Sequence, residues 1–133
     1  MRRVATLARG GLRDGVESLL GHVSLPVHAE VLPGQLPEPV QTTAYFVIAE
    51  ALTNVIKHAG DDRARIRALA AGDQLEIEVS DDGRGGADPS VASGLIGLAD
   101  RVDAARGSMS LTSPPGAGTK LSVVLPIEQR KRA

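Results

Sequence analysis

The chain has 133 residues, 42% hydrophobic and 23% charged, which is the size and balance of one globular domain with one core. The formal net charge is −1 (15 basic and 16 acidic residues), and Tyr45 and Phe46 are the only aromatics, so a nucleic-acid binder's field and stacking platform are both missing. The absence of cysteine excludes a disulfide scaffold, a cysteine zinc site and a thiol nucleophile, and fits a reducing cytoplasm. No apolar run approaches a membrane span, and residues 1–4 lack the apolar stretch of a signal peptide.

In chain order, a short basic start and the pair Gly10-Gly11 precede Leu12, Val16, Leu19 and Leu20 at helical spacing. This predicts a helix over 12–21, stopped by Gly21. Residues 25–32 read as a strand beginning at Pro26, where an edge or first position tolerates the missing N–H. Pro33, Gly34, Pro37 and Pro39 make a rigid loop, and Pro39 suits a helix start because its φ is fixed. Residues 44–59 give the strongest helix signal, with helical period, no Gly or Pro, and good helix formers. At about 100° per residue, Tyr45, Ile48, Ala49, Leu52, Val55, Ile56 and Ala59 share one side, while Glu50, Asn54, Lys57 and His58 share the other. Taken alone, that polar stripe is ordinary solvated surface.

After a break at Gly60, Asp61 and Asp62, residues 63–70 alternate Arg with Ala or Ile. Gly72-Asp73 is a turn pair and residues 75–79 alternate again, which predicts an antiparallel hairpin with one wet and one buried face. The second strand runs into Asp81, Asp82, Gly83, Arg84, Gly85 and Gly86. A loop over 88–93 leads to residues 94–106, where Leu95, Leu98, Val102 and Ala105 mark one helical face and Gly107 ends it. Residues 108–112 and 119–126 pair across 114–118 as a second hairpin, and 127–133 form a tail. No repeat or internal linker divides the chain. The order predicts an α+β fold: a two-layer α/β sandwich whose mainly antiparallel mixed sheet is covered on one face by about three helices.

Three glycine clusters stand out: Asp81-Asp82-Gly83-Arg84-Gly85-Gly86 at a strand end, Gly94-x-x-Gly97 at a helix start, and Gly116-Ala117-Gly118-Thr119 before the last strand. Singly, each is an ordinary turn; glycine also lets a backbone approach a ligand closely. The Walker P-loop and the dinucleotide-binding glycine fingerprint are both absent. For phosphates, the helix N-terminus around Gly94 to Leu98 offers free N–H groups and a positive dipole end.

The set Glu50-x-x-x-Asn54-x-x-Lys57-His58, then Asp81-x-Gly83-x-Gly85, then Gly94-Leu95-x-Gly97-Leu98, then Gly116-x-Gly118-Thr119 resembles the ATP-binding superfamily of gyrase, heat-shock chaperones, histidine kinases and mismatch-repair ATPases. Within it, the wording is similar to the catalytic domain of two-component sensor histidine kinases. The short stretch 87–93 looks like the short-lid branch related to nitrate-response and desaturase sensor kinases. The resemblance runs from about residue 36 to 126. It implies Asn54 as a ligand of Mg²⁺ on the triphosphate and Glu50 as general base for an incoming histidine or water. It further implies Lys57 and His58 at phosphate oxygens, and Asp81 accepting from the adenine amino group with Gly83 and Gly85 close by. Gly94, Leu95, Gly97 and Leu98 would seat the phosphates and Thr119 would support the adenine side. On the residues alone, His58 reads as solvated surface, Arg84 and Arg101 as salt-bridged surface or as groups able to approach phosphates, Asp82 as structural, and Asp61-Asp62 as a turn.

A complete histidine kinase also carries a phosphoacceptor histidine on a dimerising two-helix hairpin, and none of His22, His28 and His58 lies in such a helix. The expected division is 1–10 as a stub of the dimerisation helix, 11–126 as the ATP-binding domain and 127–133 as a tail. The resemblance thus implies an excised domain or half of a split kinase, cytoplasmic, monomeric alone, and free of nucleic-acid or membrane contact, from a parent that can be membrane-anchored. Its partners would be a dimerisation/phosphoacceptor domain and a downstream response regulator. Two alternatives stay open: an anti-sigma-factor serine kinase and a non-catalytic nucleotide-binding interaction module.

Overall fold

The computed structural model describes residues 2–23, 26–59, 63–82, 93–112, 116 and 118–127; over 2–10, 55–59 and 93–96 the description covers the helical backbone. The elements are α1 (Arg2–Leu20), β1 (Val27–Leu32), α2 (Glu38–Ala59), β2 (Ala64–Ala71), β3 (Gln74–Asp81), α3 (Ser93–Ala104), β4 (Ser108–Thr112) and β5 (Thr119–Pro126). The strands form one sheet in the order β1-β2-β3-β5-β4, with β1 parallel to β2 and the other pairs antiparallel. The mixed sheet and three helices match the fold expected from the sequence.

Alternation organises the sheet. On β2, Ala64, Ile66 and Ala68 are buried while Arg65 and Arg67 are exposed, as is Arg63 just before the strand. On β3 the buried row is Leu75, Ile77, Val79 and Asp81, and on β5 it is Leu121, Val123 and Leu125. These rows meet Leu12 and Val16 of α1, six buried residues of α2 and Leu98 and Val102 of α3 in one core. Gly72 takes a positive φ of 64° in the two-residue loop between β2 and β3, as a primed hairpin turn requires.

α2 begins six residues earlier than periodicity predicts. The Pro37 carbonyl accepts from the Val40 and Gln41 N–H groups, Gln41 Nε2 donates to the Leu36 carbonyl at 2.9 Å, and Glu38 faces the dipole's positive end. Pro39 lies in the first turn, where its missing N–H breaks no helical bond. The buried side also differs from the predicted one. Val40, Ala44, Val47, Ile48, Ala51 and Leu52 are buried, whereas Tyr45 and Ala49 are half-buried. The helix packs on the sheet and between α1 and α3, so its covered arc is wider than one sheet-facing side.

α1 spans the predicted break. Gly11, with φ 78° and ψ −170°, is a kink between two helical segments and falls at the predicted Gly10-Gly11 break. Among the described residues no helix is long and apolar enough to cross a membrane.

α3 ends by a different device from the predicted glycine stop. Gly107 N–H donates to the Val102 carbonyl and Arg106 N–H to the Asp103 carbonyl, both at 2.9 Å, which is the Schellman pattern. The left-handed residue is Arg106, with φ 63°. Gly107 is needed for another reason, since a Cβ there would strike the Val124 carbonyl oxygen of β5. Urea denaturation separates the two roles: Gly107→Ala should lower stability by about 1–3 kcal/mol, through overpacking. Arg106→Gly should raise it by up to about 1 kcal/mol, by removing the left-handed strain.

Candidate functional site

Asp81 is the one charged side chain that is buried among the described residues, at 6% exposure. Its position follows from strand period: it is the fourth member of the row Leu75, Ile77, Val79, so it points to the helix-covered side. A carboxylate there is an acceptor in a low-dielectric surrounding. In register, Asp81 lies opposite Ala64 on β2 and Thr119 on β5. Thr119 is half-buried and shares the inward phase of Leu121 and Val123. Gly118 precedes it with φ 77°, and a Cβ there would fall on the Asp81 carbonyl oxygen. The β5 backbone can therefore pass beside Asp81 only through glycine. Asp82 is held on the open side, with its N–H donating to the Arg63 carbonyl at 3.2 Å and its carboxylate 3.6 Å from Arg65.

Glu50 and Asn54 are half-buried on α2, one turn apart. Asn54 Nδ2 donates to the Glu50 carbonyl at 2.9 Å, so the amide oxygen Oδ1 is the atom Asn54 has to offer a ligand. Such an oxygen suits a hard cation. No group of three or more His, Asp or Glu among the described residues is placed to hold a metal unaided.

Lys57 and His58 lie in the last turn of α2, and Gly94 and Leu95 in the first turn of α3, where the backbone alone is described. Gly97 is exposed, with open space where a Cβ would stand. Leu98 is 1% exposed and belongs to the core. Gly83, Gly85 and Arg84 lie outside the described residues. The structure thus brings together Asp81 and Thr119 on the sheet, and Glu50 and Asn54 on α2, which packs on β3.

Two features escaped the sequence. One is the close approach of Gly118 to Asp81, which needs the register of β3 and β5. The other is the Arg101 guanidinium, whose Cζ lies 3.6 Å from the Phe46 ring centroid and joins α3 to α2. Its signal was Phe46 itself, a large aromatic one turn before Glu50 and next to the predicted apolar side. The opposite face of the sheet carries half-exposed pairs, Arg67 with Glu30 at 3.4 Å and Lys120 with Glu78 at 3.6 Å. A shallow depression there is lined by Arg67, Leu69, Glu76, Glu78, Ser122 and Val124, none of them a predicted site residue. Pairs this exposed contribute little, about 0–1 kcal/mol each.

Residues 40–129 match the family described as histidine kinase-, DNA gyrase B-, and HSP90-like ATPase. The chain is 33% identical over 127 residues to the sensor histidine kinase YxjM of Bacillus subtilis (strain 168), covering 93% of this chain and 30% of that protein. It is 31% identical over 136 residues to the sensor histidine kinase YhcY of the same organism, covering 94% of this chain and 35% of that one. The chain therefore spans about a third of the length of these relatives. In fold it resembles the histidine kinase domain of the blue-light activated histidine kinase from Erythrobacter litoralis EL346. The TM-score is 0.74 at 21% identity, covering 88% of this chain and 59% of that one.

The Gly118 contact gives a direct test. Gly118→Ala should destabilise the chain by about 1–3 kcal/mol, through positive-φ strain and the clash with the Asp81 carbonyl. Gly116→Ala, with φ 80° but open space around it, should cost less. Equal shifts of the two urea midpoints would remove the case for close approach at Asp81.

Proposed function

The chain belongs to the family of histidine kinase-, DNA gyrase B- and HSP90-like ATPases, and from that membership we propose that it is the Mg-ATP-binding catalytic domain of a sensor histidine kinase. The γ-phosphoryl group of ATP passes to a histidine on a separate dimerisation/phosphoacceptor domain, with ADP as the leaving group, and from there to a response regulator. Residues 11–126 form the nucleotide-binding unit, 1–10 the stub of a dimerisation helix, and 127–133 a tail. The observation that supports the nucleotide site best is the buried carboxylate of Asp81, set in an apolar row beside Thr119 and Gly118.

Asp81, Thr119, Asn54 and Glu50 have tasks that their placement suits. Asp81, at the end of its inward row, accepts a hydrogen bond from the adenine amino group. Thr119, opposite Asp81, supports the same edge. Asn54 offers Oδ1 to Mg²⁺, and bound metal supplies charge that offsets the negative charge on the transferring group. Glu50, whose backbone carbonyl anchors the Asn54 amide, polarises the incoming imidazole. The start of α3, with Gly94, Leu95 and Gly97, presents N–H groups to phosphate oxygens, and Leu98 fixes that turn in the core. Lys57 and His58 add cationic and hydrogen-bonding capacity at the end of α2. Gly83 and Gly85 let the chain after Asp81 approach the base.

Calorimetry with a non-hydrolysable ATP analogue and Mg²⁺ tests the assignment. Asp81→Ala should weaken binding by about 10- to 100-fold, the worth of a hydrogen bond to a charged group. Asn54→Ala should abolish the dependence of affinity on Mg²⁺. Glu50→Gln should bind like the wild type yet fail to phosphorylate a supplied acceptor domain, and the product made by the wild type should be acid-labile, as phosphohistidine is. Wild-type affinity in Asp81→Ala would sink the assignment.

A further inference from the structure

We propose that Arg101 is a positioning residue for the phosphate side of the nucleotide site, acting through its stack on Phe46; this rests on the nucleotide reading given above. On α2, Phe46, Glu50 and Asn54 succeed one another at intervals of four, along one side of the helix. The Asn54 side chain is already tied to the Glu50 carbonyl. On α3, Arg101 stands one turn after Gly97 and two after Gly94. The contact of 3.6 Å between guanidinium and ring therefore joins the two helices one turn away from Glu50 and one turn away from Gly97.

The remaining described contact between α3 and the core is aliphatic, through Leu98 and Val102. Aliphatic burial is non-directional and tolerates small slides of one helix on another. A guanidinium plane over an aromatic face specifies one placement. Among the described residues no carboxylate forms an ion pair with Arg101, so the ring is its recorded partner. A cation in the last turn also suits the helix dipole, but any lysine would serve that purpose. Arg101 thus sets where the α3 N-terminus sits relative to Glu50 and Asn54.

The closing test is a double-mutant cycle read by calorimetry, with the non-hydrolysable ATP analogue plus Mg²⁺ and with ADP, alongside thermal unfolding. Phe46→Leu and Arg101→Met should each weaken the ATP analogue by about two- to fivefold, since coupling cannot exceed the energy of the contact. The double variant should be no weaker than either single one. Phe46→Tyr, which keeps the aromatic face, should restore wild-type affinity. ADP affinity should change less than that of the analogue, because the γ-phosphate depends most on the relation between α3 and Asn54. If the stack only stabilises the fold, unfolding temperatures fall while the ratio of the two affinities stays constant, and the positioning role is overturned. Additive effects overturn it as well. A wild-type chain that binds no nucleotide overturns the reading of the site and this inference together; nucleotide binding that is intact and unaltered by either variant overturns the inference alone.

Discussion

The structure depends on the register of β3. This strand is paired on both edges, to β2 and β5, and its inner row lies beneath α2. With a side-chain period of two, a slip of one residue would turn Leu75, Ile77 and Val79 out to solvent and bring the glutamates in. Core burial fixes the register against that slip. Asp81 belongs to the same row, so the hydrophobic term that holds Ile77 inside also aims the carboxylate. The site inherits its precision from the core. Ala64 and Thr119 take their places beside Asp81 by the same ladders.

The helices extend this logic to a second layer. α2 is covered by the sheet and by both other helices, which leaves Glu50 and Asn54 half-buried on a face that an isolated amphipathic helix would give to water. A half-buried carboxylate and amide have few rotamers to lose on binding, and the bond from Asn54 to the Glu50 carbonyl removes further freedom. α3 is set by Leu98 and Val102 for depth and by Arg101 on Phe46 for placement.

What the sequence disclosed follows the range of the forces involved. The β2–β3 hairpin was legible because strict alternation of Arg with Ala or Ile and the Gly72-Asp73 pair are local signals. The candidate stripe Glu50-Asn54 was legible for the same reason. The partner of β1 was not, since nothing in Val27–Leu32 marks it as parallel to β2. The buried arc of α2 was misplaced by about one position because it depends on α1 and α3 as well as on the sheet. Gly107 looked like a helix stop, yet the left-handed turn falls on Arg106 and the glycine answers to the β5 backbone, a contact distant in sequence. Asp81 could be found as a strand-end residue, and its burial follows once the alternation from Leu75 is carried two residues further.

The kink at Gly11 bears on how α1 is to be read. At φ 78° and ψ −170° the chain leaves the helical basin for one residue and returns to it. The angular count of about 100° per residue is interrupted there. The stripe formed by Leu12, Val16 and Leu19 therefore cannot be extrapolated backwards into residues 2–10 as if along one cylinder. The two halves of α1 have independent rotational phases. A heptad assigned to the first half would predict nothing about which face the second half turns to the core.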